Sequence, residues 1–259
     1  MIENVKIDYL GWSGFQIKKN SGPNLFIDPP KGTEFPDDEI IILITHGHPE
    51  HLGGTIDHLS KSTSNHKTII IATKPLCYYF KRRCIKSNVE FIYARTLETI
   101  SPNPNYQITP FMWKHMPLLP PGIKNSIRHV WQLIKGYKHA FKILKMTLKG
   151  PNQIGDMLGY IVKLKDKNII IYGEGLHRHC RSKDVAIIGA IAPRSTILVA
   201  CEPEDINELP NLIYASEADE AIIYEPHRPW RDQFGLPHID LMTLQKKVAD
   251  MGIHARIAL

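Results

Sequence analysis

Three histidines and a carboxylate fall within six positions in Thr45-His46-Gly47-His48-Pro49-Glu50-His51-Leu52-Gly53-Gly54, directly after the apolar run Ile40-Ile41-Ile42-Leu43-Ile44. Imidazole is neutral near pH 7 and offers a lone pair that suits zinc, iron or manganese. In an extended stretch alternate side chains share a face, so His46 and His48 point the same way and can grip one ion. Glu50 and His51, where the turn enters a helix, are placed to serve a second ion beside the first. Two neighbouring ions can polarise a hydroxide and clamp the oxygens of a hydrolysable bond. A solvated loop that happens to be rich in histidine is the bland alternative, and the density of ligand chemistry argues against it.

Such residues need a rigid frame, and the pattern of the chain supplies one. Its 259 residues are 43% hydrophobic and 22% charged, ordinary for a soluble globular protein and enough for one large α/β domain over 1–259. Short strands are expected over 6–10, 14–18 and 25–28, punctuated by Gly11, Asn20-Ser21-Gly22 and Pro29-Pro30. Beyond the histidine loop the pattern predicts a helix over 52–59, a buried strand over 68–72 and a helix over 74–84. The basic end of that helix, Lys81-Arg82-Arg83, suits the macrodipole. Strands follow over 88–93 and 106–113, then a hairpin of 157–164 with 168–172 that turns at Lys165-Asp166-Lys167. Strands over 196–200 and 221–225, a helix over 236–251 and a closing strand over 253–259 complete the chain. Repetition of strand pairs and helices predicts a layered α/β sandwich of two similar halves, with the site residues arriving at strand ends along one edge.

One segment interrupts this pattern. From Lys124 to Lys149 the cations Lys124, Arg128, Lys135, Lys138, Lys142, Lys145 and Lys149 recur at helical steps beside Trp131, Phe141 and other apolar residues, without an acidic residue. This basic amphipathic helical insert, 123–150, closes at Gly150-Pro151. Two readings stand side by side: an outer helix with its apolar stripe on the core, or a lid or membrane-surface helix suited to anionic headgroups.

The histidine stretch resembles the metallo-β-lactamase superfamily, whose signature His-x-His-x-Asp-His follows a strand. His46, His48 and His51 match it, and Glu50 stands where the family has Asp. Gly11-Trp12-Ser13-Gly14-Phe15 and Asp28-Pro29 are similar to segments of the branch containing the ascorbate-6-phosphate lactonases and the N-acyl phosphatidylethanolamine phospholipases D, with Trp12 in place of a His. The resemblance implies a four-layer αββα sandwich. It implies that His46, His48 and His115 hold a first metal and leave an open position for water. It assigns Glu50, His51 and His227 to a second metal. Glu174, in Gly173-Glu174-Gly175, occupies the place of the family's bridging Asp. Glu50, His51 and Glu174 are thereby the expected catalytic residues, on one or two zinc ions, with manganese or iron fitting the same ligands. Asp28 is expected near the metals by resemblance, and reads equally well as a strand-ending turn residue.

His177-Arg178-His179-Cys180-Arg181 follows the expected bridging residue at once and is the candidate substrate-facing cluster, with Arg178 and Arg181 suited to phosphate or carboxylate. A solvated helix start is its alternative. The expected activity is metal-dependent hydrolysis, by a metal-bound hydroxide, of an anionic phosphodiester, lactone or ester. The net charge of +6 favours a small anionic or lipid-like partner. A nuclease of the same fold is one rival; nucleic acid is the less expected partner because the cations sit on one helix with little aromatic interleaving. A non-catalytic metal-binding or peripheral membrane protein is the other. Cys77, Cys84, Cys180 and Cys201 form no Cys-x-x-Cys pair, and neither an apolar leader nor a bilayer-length apolar run is evident. A cytoplasmic protein is expected, with peripheral contact to anionic membrane through 124–149 as an option.

Overall fold

The structure is a computed structural model that describes residues 5–61, 66–85, 87–114 and 156–259. His115 and the 123–150 insert lie outside the described residues, and the readings placed on them are not addressed by it.

The chain builds two sheets in sequence order. The first runs β1 (Lys6–Gly11), β2 (Gly14–Lys18), β3 (Asn24–Ile27), β4 (Ile40–Leu43), β5 (Thr68–Ala72) and β6 (Val89–Tyr93). The second contains β7 (Ile100–Asn103), β8 (Tyr106–Met112), β9 (Leu158–Lys163), β10 (Asn168–Gly173), β11 (Thr196–Ala200), β12 (Glu220–Tyr224) and β13 (His254–Ile257), again neighbour to neighbour. Each sheet opens with antiparallel pairs and ends with parallel ones: β3 to β6 in the first, β10 to β13 in the second. The helices are α1 (Pro49–Lys61), α2 (Lys74–Lys81), α3 (Ser182–Ile191), α4 (Leu209–Ala215), α5 (Arg228–Phe234) and α6 (Leu241–Ala249).

Parallel strands are buried on both faces, which is why β4 and β11 read as unbroken apolar runs. Side-chain alternation then sorts them into layers. Ile41 and Leu43 join Ile17, Tyr160, Leu198 and Tyr224 between the sheets. Ile40, Ile42 and Ile44 face the other way and pack with Leu52, Leu59, Leu76 and Phe80 of α1 and α2. On the far side Ile170, Ile197, Val199 and Ile223 pack with Val185, Leu212, Leu244 and Val248 of α3, α4 and α6. The order of layers is therefore αββα. Each fully buried Ile or Leu contributes on the order of 1.5–3 kcal/mol, so the three layers of contact hold the sheet edges rigidly.

Several elements differ from the sequence expectation. α1 starts at Pro49 rather than 52, because proline at a first helical position has its φ already set. β7 was not foreseen: Pro102 within a short run obscures a strand that is tolerated at the sheet edge. The last helix begins at Leu241, not 236, because Asp240 accepts from Thr243 N–H (2.9 Å) and caps it. The hairpin of β9 and β10 forms as expected, with Lys163 opposite Asn168. Among the described residues, no helix is long and apolar enough to cross a membrane.

Candidate metal centre

β4 ends at Leu43, and the chain leaves it through Ile44 and Thr45 into the buried His46. His48 follows before α1, and His51 lies on the first turn of α1, buried. From the facing sheet, β10 ends at Gly173 and delivers Glu174, also buried. One ligand atom from each of His46, His48, His51 and Glu174 lies within 4.8 Å of all the others. The two sheets thus meet in one cluster of imidazole and carboxylate at the C-terminal ends of their central strands.

Hydrogen bonds behind the rings determine which nitrogens face inward. Asp28 accepts from Thr45 N–H (2.8 Å) at Oδ1, and from the Thr45 hydroxyl (2.5 Å) at Oδ2. The single hydroxyl proton is thereby spent, so Thr45 Oγ1, 3.0 Å from His46 Nδ1, accepts from that ring. His46 then presents the Nε2 lone pair. His51 Nδ1 lies 2.9 Å from Asp28 Oδ2 and donates to it, turning Nε2 inward. His227, at the start of α5, has Nδ1 2.6 Å from Glu202 Oε1, which leaves its Nε2 3.3 Å from Glu174 Oε1. Such oxygen partners fix the tautomer and raise the basicity of a ligating imidazole.

Glu174 stands between two groups of nitrogens. Oε1 is 3.2 Å from His51 Nε2 and 3.3 Å from His227 Nε2, and it accepts from the Ser13 hydroxyl (3.1 Å). Oε2 is 4.0 Å from His46 Nε2, which is itself 3.0 Å from His48 Nδ1. Burial alone would raise the Glu174 pKa, but His227 and His51 outweigh it and hold the carboxyl well below its usual range. Burial alone would lower His51; Asp28 and then Glu174 outweigh it and raise the ring to about 10. For His227 the same contest is won by Glu174 and Glu202, again upward. The carboxylates therefore demand positive charge at this spot, as imidazolium protons or as a cation.

The donor set fits a metal. His51 Nε2 is buried beside the Glu174 carboxylate (3.2 Å), and imidazole nitrogen with carboxylate oxygen is the chemistry of zinc, iron or manganese sites.

The other expected residues are placed as follows. Glu50, expected with His51 and His227, turns toward His48 (Oε1 to Nδ1 3.9 Å). His115 lies outside the described residues. Asp28, expected near the metals or as a strand-ending turn residue, is 1% exposed and faces Thr45 and His51, at a φ of 42°. The 177–181 cluster divides. His177 donates from Nε2 to Lys114 O (2.8 Å) and accepts at Nδ1 from His179 N–H (3.2 Å). It lines, with Glu174, Glu202, Asp205 and His227, a cavity of about 30 Å³, room for a water molecule. Arg178 leans on Asp205 (3.6 Å), His179 is exposed, and Arg181 forms a two-point contact with Asp184 of α3 (2.8 and 2.9 Å). Thr45, Glu202 and Ser13 are the site residues that sequence reasoning missed. Glu202 had a signal: it lies two residues past the end of the buried strand β11, on the edge that carries the ligands.

The sequence matches no protein-family model and no curated protein. Solved structures do resemble it over nearly its whole length. Igni18, described as a metallo hydrolase of Ignicoccus hospitalis, superposes with a TM-score of 0.65 at 15% identity, over 98% of this chain and 94% of that one. The metallo-beta-lactamase fold protein YhfI of Bacillus subtilis gives 0.63 at 12% identity, over 98% and 95%. The chain has the metallo-β-lactamase fold. A third structure with this likeness, the Zn(2+)-bound PqqB of Methylobacterium extorquens, gives 0.53 at 11% identity, over 95% and 85%. Within the metallo-β-lactamase fold of this chain, the cluster of His46, His48, His51 and Glu174 occupies the edge where both sheets offer strand ends.

Proposed function

We propose that this protein is a metal-dependent hydrolase acting on an anionic phosphodiester, lactone or ester. The observation that carries the reading is the cluster itself: four buried or half-buried donors within 4.8 Å, three of them imidazoles, on a metallo-β-lactamase fold. His46, His48, His51 and Glu174 would hold the metal, with His227 completing a second set around Glu174 Oε1. Zinc is the metal of choice, supported by the donor set and by the Zn(2+)-bound PqqB of like fold. Bound there, the metal supplies a polarised water and a Lewis acid for the scissile bond.

The residues of the chain do the rest. Asp28 and Thr45 keep the Nε2 lone pairs of His51 and His46 aimed inward, and Glu202 does the same for His227. Glu174 spans the two groups of nitrogens, and Ser13 steadies its Oε1. Ser13 and Asp28 belong to the two segments that resemble the lactonase and phospholipase D branch. Their position against the cluster favours a substrate of that branch's type, a phosphorylated lactone or a phosphodiester. Arg178, 21% exposed beside Asp205 of the small cavity that Glu174 and His227 also line, is a cation suited to an anionic substrate group.

The test is metal analysis of the purified chain together with turnover of generic phosphodiesters and lactones. His48→Ala is expected to abolish hydrolysis and to lower the metal content. Undiminished turnover by that variant would sink the reading.

A further inference from the structure

The carboxylate that orients His227 is itself held by a group with no other part in the metal centre. Arg231 is buried on α5, one turn past His227, and its backbone N–H donates to His227 O (2.9 Å). Residues four apart on a helix are neighbours on one face, so ring and guanidinium leave α5 on the same side. Glu202 meets both from the loop after β11: Oε1 lies 2.6 Å from His227 Nδ1, and Oε2 accepts from Arg231 Nη2. One carboxylate thus spans two side chains of one helical turn.

The guanidinium is tied from other directions as well. Nη1 donates to Pro237 O (2.7 Å), in the loop after α5. Nε is 3.6 Å from Glu225 Oε1, and Nη2 is 3.6 Å from Glu204 Oε2. Those two contacts are too long for hydrogen bonds and contribute through charge; the donations to Glu202 and Pro237 set the geometry. Glu225, one residue past β12, accepts in turn from Ile239 N–H (3.3 Å) and lies 3.0 Å from His238 Nδ1, so the same loop is fastened twice.

Glu202 and Glu225 are both buried, and a buried carboxylate needs positive charge beside it. A lysine at 231 would supply that charge. It would not supply the geometry, because a single ammonium lacks the rigid fork that addresses Glu202 and Pro237 O at once. With Oε2 unfixed, the Glu202 carboxylate is free to turn away from Nδ1, and Nε2 of His227 is no longer held toward Glu174.

We propose that Arg231 is a positioning residue: it locks the Glu202 carboxylate, and through it the His227 ring, with Nε2 turned toward Glu174. The role in metal binding rests on the proposed reading of the centre, whereas the lock itself is a property of the chain.

The experiment compares the purified full chain with Arg231→Lys, Glu202→Gln and the double variant. In the metal-free chain the His227 Nδ1 proton, shared over 2.6 Å with a buried carboxylate, is expected as a downfield imidazole resonance in nitrogen-edited proton NMR, assigned by its loss in His227→Gln. Arg231→Lys keeps the charge and should melt close to the parent. It is expected to move that resonance upfield or broaden it away, and to weaken metal binding about tenfold in chelator competition. Glu202→Gln should do the same, and adding Arg231→Lys to it should weaken binding no further, because Arg231 acts through Glu202. A resonance and an affinity unchanged in Arg231→Lys overturn the proposal, as does a further loss of affinity in the double variant. Loss of the resonance only together with the native melting transition assigns Arg231 to the fold alone and overturns it too. Failure of the parent to bind metal would count against the hydrolase; the resonance, read without metal, still decides on Arg231.

Discussion

Asp28 carries more of the site than its distance in sequence from the histidines suggests. Its left-handed φ of 42° aims one carboxylate at Thr45 N–H, Thr45 Oγ1 and His51 Nδ1 together, so a single side chain sets the tautomers of two rings. Asp28→Asn keeps the backbone, because Asn accepts that conformation readily. It changes the chemistry: the amide oxygen must stay on Thr45 N–H, since a flip would set two donors face to face, and the amide nitrogen then confronts Thr45 Oγ1 and His51 Nδ1. His51 is forced to accept at Nδ1 and to carry its proton on Nε2, facing inward. Metal affinity measured by chelator competition is expected to fall about 10- to 100-fold, with little change in melting temperature. Unaltered affinity would show that Asp28 does not orient His51. The histidines were legible in the sequence because they are crowded into one turn. Thr45 and Glu202 were not, because what they do depends on which atom of a neighbouring ring they touch; in Glu202 that ring belongs to His227, on another strand's loop.

Elements bring these residues into register by close approach. α1 carries His51, and the turn after β3 carries Asp28; they are clamped where Gly54 N–H donates to Pro29 O (2.9 Å). A Cβ on Gly54 would meet Pro30 O at 2.5 Å and Pro29 O at 2.6 Å, both backbone atoms that yield only if the turn moves. Gly54→Ala is therefore expected to destabilise the fold by about 1–3 kcal/mol and to weaken metal binding as well, since Asp28 must shift with its turn. Urea denaturation and the chelator assay check the two effects; a variant that unfolds and binds like its parent contradicts the clamp. The central strands were legible because both of their faces are buried, and an apolar run between turn residues has few other readings. The short helices α3, α4 and α5 were not: α3 has an exposed Ile187 and no clean apolar stripe, and α4 and α5 are only seven residues each. β7 was obscured by its proline, and the start of α6 by apolar residues ahead of the Asp240 cap.

Across the whole molecule the two ends of the sandwich have different duties. The C-terminal strand ends gather ligands, while the N-terminal ends of the second sheet are fastened by Glu220. Its carboxylate accepts from Thr196 Oγ1 (2.7 Å), Lys167 Nζ (3.1 Å) and Arg256 Nε (3.0 Å), joining β11, the lead-in to β10 and β13. Burial alone would raise its pKa, but Thr196, Lys167 and Arg256 outweigh burial and lower it from 4.5 to about 2. A carboxyl lowered in the folded state contributes stability above its unfolded value, and that contribution drains away as pH falls from 4.5 through 2. With the side chain 21% exposed, solvent screening trims the contribution to on the order of 2 kcal/mol. Glu220→Gln should thus cost about that much at pH 7, and the gap between parent and variant should close across the window from 4.5 to 2. Denaturation midpoints at a series of pH values give the comparison directly. Subtracting the variant removes the other acid-sensitive groups, including the histidine cluster at the opposite end. A gap that stays constant from pH 7 to pH 2 would mean that Glu220 fastens the sheet through shape alone and not through its charge.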